Sequence, residues 1–403
     1  MEDLFLIRIF GDGGKSLTTR MSALLAEVEA DILDIGQSVI HNNLSLAMLV
    51  YIPNQKTDAL LKIEEKLATV SEKFVFARVS SERYEKWVEK QGAPRYVLTL
   101  LARKIRASHM AAVTELISTD NLKVDGIKRL SGRVSRNSVN TSSKACFEFS
   151  IRGKPTQKFR ENLIAISSKS QVDIALQEDG IYRRHRRLVA FDMDSTLIAA
   201  EVIDELGDLA GVGAQVKKIT ARAMAGELDF SDSLRRRVSL LQGLSESSLE
   251  KVASMMPLTE GVEQLFKILN RLGYKTAIIS GGFTFFGDKL KSRLGIDHVY
   301  ANELEIKENC LTGQVLGPII GAQQKSEILQ QIAARENISL EQTIAVGDGA
   351  NDLPMLSASG LGIAFNAKPM VRKAANQSIS TLGLDSLLYL MGIRDHELNT
   401  FLS

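Results

Sequence analysis

Cysteine is scarce in this chain of 403 residues: only Cys146 and Cys310 occur, far apart in the sequence. A disulfide framework is therefore not expected, and a reducing compartment suits the chain better. Neither cysteine has a second cysteine or a histidine nearby at the spacing of zinc ligands, which argues against a structural zinc site.

Long apolar runs and an excess of charge are also missing. No stretch approaches the roughly 20 apolar residues that span a bilayer, and residues 1–8 carry early acids instead of the apolar segment of a secretory signal. The formal net charge is only +2, which gives no whole-molecule attraction to a polyanion. We therefore expect a soluble, cytoplasmic protein that binds neither a membrane nor nucleic acid.

Several functional motifs are absent. No G-x-x-x-x-G-K-[ST] occurs, which argues against an NTP-binding P-loop. The basic run at 183–187 lacks the interleaved aromatic residues of a nucleic-acid site, so we interpret it as a solvated linker. The histidines lie outside the motifs described below, which makes a phosphohistidine mechanism unattractive; they are His41, His109, His185, His298 and His396.

The length predicts two or three domains, and the first half contains a weak internal repeat of strand–helix–strand–strand–helix–strand type. In the first copy Met21, Leu24 and Leu25 follow a helical period, with Ser16 as a plausible cap. The strands of the two copies are predicted at 4–10, 32–40, 44–51 and 74–79, and at 96–102, 124–129, 145–151 and 172–176.

This order of elements resembles the ACT domain, a ferredoxin-like module that often binds amino acids. The resemblance implies ACT-like domains over residues 1–82 and 94–180. In that family the ligand lies where a glycine loop leads into the first helix, and Gly11, Asp12 and Gly13 match this position in the first copy. The second copy has residues 104–107 there and lacks the glycine. We expect a serine effector at the ACT-like region and a homodimer, with packing or dimerisation alone as the alternative role.

The second half alternates strands with helices, which indicates a parallel sheet covered on both faces. Ligands of such sheets bind at the carboxyl ends of the strands, and three predicted strands end in polar residues. The strand at 188–191 precedes Asp192 and Asp194, and the strand at 275–279 precedes Ser280, Gly281 and Gly282. The strand at 343–346 precedes a third group, which consists of Asp348, Asn351 and Asp352.

These residue types suit phosphate chemistry. A hydroxyl followed by glycine amides can hold phosphate oxygens, and oxygen-only ligands suit Mg²⁺. Lys325, at the predicted start of a helix, can neutralise phosphate and an attacking carboxylate together. The alternative treats each acid as a turn or cap residue and Lys325 as a surface charge.

In this order the motifs resemble the four motifs of the haloacid dehalogenase superfamily, over a predicted domain at 187–403. The resemblance implies that Asp192 is the nucleophile and that Asp194 is the general acid and base. It also implies that Mg²⁺ is held by Asp192, the backbone carbonyl of Asp194, and Asp348. The phosphate would be held by Ser280, the Gly281 amide and Lys325. Asn351 would contribute to the substrate site, and Asp352 would orient Lys325.

Residues 203–260 exceed the length of one crossover and have helical spacing, so we expect a helical cap there that excludes water. Glu201, Met224, Phe230 and Arg237 resemble the substrate contacts of phosphoserine phosphatases. The resemblance implies that Glu201 accepts from the substrate ammonium and that Arg237 grips its carboxylate. Alternatively, Met224 and Phe230 are cap core, and Glu201 favours a helix start.

The expected fold is α/β: a Rossmann-like parallel sheet of haloacid dehalogenase type with a helical cap, preceded by two α+β ferredoxin-like, ACT-like domains. The implied function is hydrolysis of phosphoserine. Rival interpretations are a phosphatase for another phosphometabolite, a phosphotransferase, and a regulator that binds phosphorylated ligands without turnover. The presence of both Asp192 and Asp194 argues against the last.

Overall fold

The computed structural model describes residues 4–12, 17–53, 57–70, 73–133, 144–224, 227–375 and 377–402. The chain forms two compact units, Met1–Ala93 and Pro94–Ser403. Among the helices within these described ranges, none combines the length and the apolar character that a membrane span needs.

The first unit has the βαββαβ order that the sequence predicted, followed by an α-helix and a short 3₁₀ helix. Its elements are β1 (Leu4–Asp12), α1 (Leu17–Ala26), β2 (Asp31–Ile40), β3 (Asn43–Tyr51), α2 (Thr57–Val70), β4 (Lys73–Val79) and α3 (Ser81–Glu89). The strands form an antiparallel sheet in the order β2-β3-β1-β4. Gly11 and Asp12 continue β1, although the sequence predicted a turn there, and Gly13 and Ser16 lie outside the described residues.

The second unit begins with the same arrangement. Its first elements are β5 (Arg95–Ala102), α4 (Ala107–Thr119), β6 (Lys123–Arg129), β7 (Ala145–Arg152), α5 (Gln157–Ser170), β8 (Asp173–Glu178) and α6 (Ile181–Arg184). The sheet order β6-β7-β5-β8 repeats that of the first unit. The basic run at 183–187 is not simply a solvated linker, because Arg183 is buried and forms a 2.5 Å ion pair with Glu148.

The rest of the second unit is built on a seven-stranded sheet, in which the strands have the order β12-β11-β10-β9-β13-β14-β15. Its strands are β9 (Leu188–Phe191), β10 (Lys275–Phe283), β11 (His298–Lys307), β12 (Cys310–Leu316), β13 (Thr343–Gly347), β14 (Leu361–Phe365) and β15 (Gln377–Ile379). All neighbours are parallel except β11 and β12.

Helices cover this sheet on both faces, as the alternation of strands with helices predicted. The helices of this part of the chain are α7 (Val202–Leu209), α8 (Gly213–Met224), α9 (Phe230–Ser239), α10 (Glu246–Met255), α11 (Val262–Arg271), α12 (Thr284–Leu294), α13 (Ala322–Arg335), α14 (Leu353–Ala358), α15 (Pro369–Ala374), α16 (Leu387–Leu390) and α17 (Asp395–Leu402). In the central strand β9, Val189 and Phe191 join one apolar core, while Leu188 and Ala190 join the other. This alternation across the sheet follows from the two-residue period of a strand.

Helices α7 to α10 form the predicted helical insertion between β9 and β10. Their packing residues are buried, including Leu206 on α7, Val216 on α8 and Leu234 on α9. The finer division of the chain into domains 1–82, 94–180 and 187–403 stays a prediction.

Candidate active site

The polar groups of neighbouring strands meet at the carboxyl edge of the seven-stranded sheet. β9 lies between β10 and β13, and its last residue, Phe191, is level with Ile278 of β10 and Val346 of β13. Asp192 and Asp348 therefore lie just past the ends of adjacent strands, where the apolar runs predicted them.

The Ser280–Gly282 segment differs from its predicted conformation because it continues β10 as far as Phe283. The Ser280 side chain is buried, and its Oγ accepts a hydrogen bond from the Gly282 amide at 3.0 Å. A Cβ added at Gly281 would lie 3.0 Å from Cζ of Phe230 on α9. Because Gly281 and Gly282 have no side chains, the backbone amides of this segment are not covered beneath the cap. An anion can therefore come close to them.

Lys325 joins two carboxylates at the centre of this edge. It is the fourth residue of α13 and is fully buried. Its Nζ lies 2.8 Å from Oδ2 of Asp192 and 2.6 Å from Oδ1 of Asp352. Burial alone would lower the pKa of Lys325, but the charges and hydrogen bonds of the two aspartates outweigh it and raise the pKa. A fixed positive charge therefore lies beside Asp192.

Three acids at this edge form a candidate metal site. Asp192, Asp348 and Asp352 bring carboxylate oxygens within 4.8 Å of one another. Burial, followed by the charge of Asp192, raises the pKa of Asp348 to about 7 and that of Asp352 to about 6. Crowded carboxylates ionise together only when cations compensate them. Since all the donors are oxygens, the cluster fits a hard cation such as Mg²⁺.

Asp194 has the environment of a proton donor. Its Oδ1 accepts a hydrogen bond from the Val202 amide at 3.2 Å, and its Oδ2 lies 2.6 Å from the position of a Cβ added at Gly282. Desolvation, followed by the charges of Glu201 and Asp192, raises the pKa of Asp194 well above its ordinary value. A carboxyl group of this kind keeps its proton closer to neutral pH and can give it to a leaving group.

The loop after β9 joins this edge to the cap. Ser195 has a φ of 55°, an unusual value for a residue with a side chain, and its hydroxyl donates to Oε1 of Glu201 at 2.7 Å. Desolvation raises the pKa of Glu201, and the charge of Asp192 adds to the rise. Glu201 therefore lies within electrostatic reach of the central acids.

Arg237 approaches the same region from α9. Its Nε donates to the Ser233 carbonyl at 3.4 Å and its Nη1 to Oγ1 of Thr220 at 3.5 Å, and both hydrogen bonds are long. Burial lowers the pKa of Arg237, and the charges of Asp204, Glu201 and Asp194 oppose this change. The charge of Asp194 acts on this cap arginine, so Arg237 is within electrostatic reach of the strand edge.

The remaining predicted positions lie around this centre. Phe230 begins α9, and its ring contacts the β10 segment as described. Met224 ends α8, but its side chain is outside the described residues. Oδ1 of Asn351 lies 2.1 Å from the position of a Cβ added at Gly349, so this amide packs against the loop after β13. The individual roles of these residues stay predictions.

Comparison with known proteins gives this arrangement a family. The sequence profile of haloacid dehalogenase-like hydrolases matches residues 189–357, and that of the ACT domain matches residues 3–77. A phosphoserine phosphatase of Streptomyces coelicolor is 38% identical over 397 residues, which cover 97% of this chain and 93% of the relative. The chain belongs to the phosphoserine phosphatase family of haloacid dehalogenase-like hydrolases.

Other members of the phosphoserine phosphatase family give the same picture. The phosphoserine phosphatase SerB2 of Mycobacterium tuberculosis is 35% identical and covers 98% of this chain and 94% of its own length. Among solved structures, an unliganded probable phosphoserine phosphatase of Vibrio cholerae has a TM-score of 0.59 and 35% identity, covering 75% of this chain and 87% of its own. The predicted fold class is confirmed by these matches.

Sequence reasoning missed two residues beside this family's motifs, of which Asn302 is buried and Asp204 is half-buried. Asn302 on β11 is 1% exposed; its Nδ2 donates to the Gly281 carbonyl at 2.8 Å, and its Oδ1 accepts from the Ile320 amide at 2.9 Å. It thus ties the bare β10 segment to the loop that precedes Lys325. Asp204 on α7 is the leading charge that acts on Arg237. Neither residue lies in a recognisable motif, so the sequence carried no signal for them.

Proposed function

We propose that the chain hydrolyses O-phospho-L-serine to L-serine and phosphate through an aspartyl phosphate on Asp192. The observation that carries the proposal is Lys325, fixed between Asp192 and Asp352 at the sheet edge. The names of the full-length relatives support the choice of substrate. Arg237 and Glu201, within electrostatic reach of the same edge, support it independently.

Mg²⁺ is the proposed cofactor. Asp192, Asp348 and the backbone carbonyl of Asp194 would hold it, while Asp352 is already engaged by Lys325 and by the Gly349 amide at 2.9 Å. When bound, the ion would neutralise phosphate charge so that a carboxylate can approach phosphorus. This assignment is supported by the all-oxygen donor set.

In the first step a carboxylate oxygen of Asp192 attacks phosphorus and forms an O–P bond. The bond between phosphorus and the serine oxygen breaks, and Asp194 gives its proton to that oxygen. Lys325 and the backbone amides of the Ser280–Gly282 segment compensate the phosphoryl charge throughout. The raised pKa of Asp194 supports its role as the acid.

In the second step water attacks the same phosphorus and the bond to Asp192 breaks, which releases phosphate. Asp194, now ionised, accepts the proton that the water loses and returns to its starting state. Atoms and charges then balance, because ester and water have become alcohol and phosphate. The cap would admit the attacking water and exclude bulk solvent.

Substrate selection is proposed to depend on the cap. Arg237 would bind the serine carboxylate with two parallel hydrogen bonds, and Glu201 would accept from the ammonium group. Phe230 would cover the short side chain, with Met224 beside it. Asn351 would help to hold the substrate from the loop after β13.

We also propose serine as an effector at the first ACT-like domain and a homodimer as the working form. Gly11 and Asp12 at the end of β1 match the family's ligand position. Dimerisation is supported by the edge strand β2, whose residues are all exposed and include Ile32 and Ile40, because unpaired edges favour pairing with another strand. Light scattering tests the dimer, and a monomer mass independent of concentration would contradict it. The two free cysteines support a cytoplasmic location.

Phosphate release from phosphoserine, phosphothreonine, phosphohomoserine and small sugar phosphates, each with and without Mg²⁺, tests the main proposal. We expect the wild-type chain to release phosphate from L-phosphoserine with a strong, Mg²⁺-dependent preference. Asp192→Asn should release no phosphate from any of these esters. Preference for another ester would reject the roles of Glu201 and Arg237 but keep the chemistry. Consumption of the ester without release of phosphate, and only in the presence of an alcohol acceptor, would indicate a phosphotransferase, and no consumption of any ester would indicate a non-catalytic regulator.

A further inference from the structure

The guanidinium of Arg237 interacts with groups from three helices of the cap. Its Nε donates to the Ser233 carbonyl on its own helix α9 at 3.4 Å, and its Nη1 donates to Oγ1 of Thr220 on α8 at 3.5 Å. The third helix, α7, contributes Asp204, which is the leading charge on Arg237. Because both hydrogen bonds are long, they fix the guanidinium only weakly by themselves, which leaves the charge of Asp204 a part in its orientation.

Thr220 can only accept from Arg237. Its hydroxyl donates to the Val216 carbonyl, one turn earlier on α8, at 3.1 Å. A hydroxyl has a single hydrogen to donate, so the oxygen offers a lone pair to Nη1. The intrahelical bond thus fixes the direction in which Thr220 receives the guanidinium.

Asp204 lies half-buried in the first turn of α7. Its Oδ1 is enclosed in the cap and finds no hydrogen-bond partner among the described residues. A carboxylate oxygen that no donor compensates exerts a strong attraction on a nearby cation. Burial lowers the pKa of Arg237, and the charge of Asp204 is the first of those that oppose this change.

The first turn of α7 also connects Asp204 to the other end of the substrate site. Glu201 is the N-cap residue of α7, and its carbonyl accepts from the Asp204 amide at 3.1 Å. Between them, the Val202 amide donates to Oδ1 of Asp194 at 3.2 Å, which ties this turn to the loop after β9. One helical turn therefore carries both Glu201 and the charge that acts on Arg237.

We propose that Asp204 and Thr220 are positioning residues, which orient the Arg237 guanidinium so that two parallel N–H groups face the carboxylate of phosphoserine. A guanidinium oriented beforehand loses less rotamer freedom when the carboxylate binds. Both residues act through Arg237, without contact with the substrate or the reacting atoms. The inference rests on the proposed function, because it concerns the carboxylate of the proposed substrate.

Steady-state kinetics of two substitutions tests the positioning role. Asp204→Asn keeps the size of the side chain and removes its charge, while Thr220→Val keeps the shape and removes the acceptor. Each should raise KM for phosphoserine about fivefold, since each removes one interaction of the guanidinium. The value of kcat should change little, because ground state and transition state share this contact. For p-nitrophenyl phosphate, which has no carboxylate, neither parameter should change appreciably.

Glu205→Gln and Thr114→Val are the matched controls. Glu205 is exposed in the same turn of α7 as Asp204, so its substitution changes the charge of that helix equally. Thr114 donates to the Met110 carbonyl on α4 at 2.9 Å, so its substitution removes the same kind of intrahelical bond far from any role in orienting Arg237. Both controls should leave KM for phosphoserine unchanged.

Combination with Arg237→Ala separates positioning from a general structural effect. In that background Asp204→Asn and Thr220→Val should cause no further loss of kcat/KM for phosphoserine, because the guanidinium that they orient is gone. Further losses of the same size as in the wild-type background would overturn the proposal. So would an unchanged KM in both single variants, or equal losses on the two esters.

Hydrolysis of p-nitrophenyl phosphate reports whether each variant folds. If one variant loses this activity through misfolding, the other still decides, because Asp204 and Thr220 lie on different helices. A wild-type chain that hydrolyses p-nitrophenyl phosphate but not phosphoserine would reject the proposed substrate and this inference with it. Wild-type turnover of phosphoserine with unaltered KM in the folded variants would reject the positioning role alone.

Discussion

Two aspartates separated by one residue have opposite tasks in the proposed reaction. Asp192 must offer a carboxylate oxygen to phosphorus, and its Oδ2 lies 2.8 Å from the buried Nζ of Lys325. Asp194 must first carry a proton, and its desolvation favours that state. Asp192 and Asp194 can therefore have different tasks because their side chains lie in different surroundings.

Asp194→Asn should reduce kcat for phosphoserine by about 10²–10⁴-fold, because an alkoxide is a poor leaving group without a proton. For p-nitrophenyl phosphate, whose leaving group is far more acidic, the first step should suffer much less. Wild-type formation of the phosphoenzyme from phosphoserine should slow as pH rises through the raised pKa of Asp194, since the protonated form acts. Rapid-quench kinetics on both esters measures this, and equal losses would contradict the assignment.

Arg237→Ala should lower kcat/KM for phosphoserine by about 10²-fold, as expected for loss of a charge-assisted bidentate contact. The loss with p-nitrophenyl phosphate should be slight, since that ester has no carboxylate. Arg236→Ala, on the same helix but exposed, is the matched control and should leave both esters unchanged. Steady-state kinetics measures kcat/KM for both esters. Equal losses of kcat/KM on the two esters would mean that Arg237 does not bind the substrate carboxylate.

Asn302→Asp should impair phosphate binding as well as stability, because an acceptor would replace the donor that holds the Gly281 carbonyl. We expect a loss of about 1–3 kcal/mol in the free energy of unfolding and weaker inhibition by inorganic phosphate. Asn270→Asp is the control: it removes a similar 2.8 Å bond to the Leu294 carbonyl and should affect stability alone. Unchanged phosphate inhibition in Asn302→Asp would leave Asn302 with a purely structural role.

At the scale of elements, the apolar runs were sufficient to predict β9 and β13 and the acids that follow them. Prediction worked there because a strand buried on both faces has no polar residues until it reaches the sheet edge. It was less complete at β10, where small residues allow the strand to continue through Ser280–Gly282. Asn302 and the burial of Arg183 depend on partners distant in sequence, which no local pattern encodes.

The contact between β10 and α9 predicts a coupled pair of substitutions. In Gly281→Ala the new Cβ would lie 3.0 Å from Cζ of Phe230, so the ring must shift and activity should fall. Phe230→Leu in the same chain should recover part of the loss if the clash is its cause. A double-mutant cycle on kcat/KM measures the coupling, and strictly additive effects would show that the two elements do not constrain each other.

At the scale of the whole molecule, the boundary after Ala93 separates two compact units. A chain that begins at Pro94 should keep Mg²⁺-dependent phosphoserine hydrolysis within a few-fold of the full chain, because every proposed catalytic residue lies after it. Inhibition by serine beyond simple product competition should be lost. Initial-rate kinetics at several serine concentrations compares the two chains, and unchanged non-competitive inhibition would remove the effector role of the first ACT-like domain.

The repeated βαββαβ fold has a further consequence for how relatives diverge. Within the second unit, Gln377 of β15 accepts from the Leu176 amide of β8, and Asp173 holds residues 380 and 381. A substitution on β8 must therefore suit the enzyme core as well as its own sheet. The first copy lies in the other compact unit, Met1–Ala93, and has its own core. Two copies with one architecture thus carry different evolutionary constraints, and the copy beside the catalytic sheet should accept replacements more slowly.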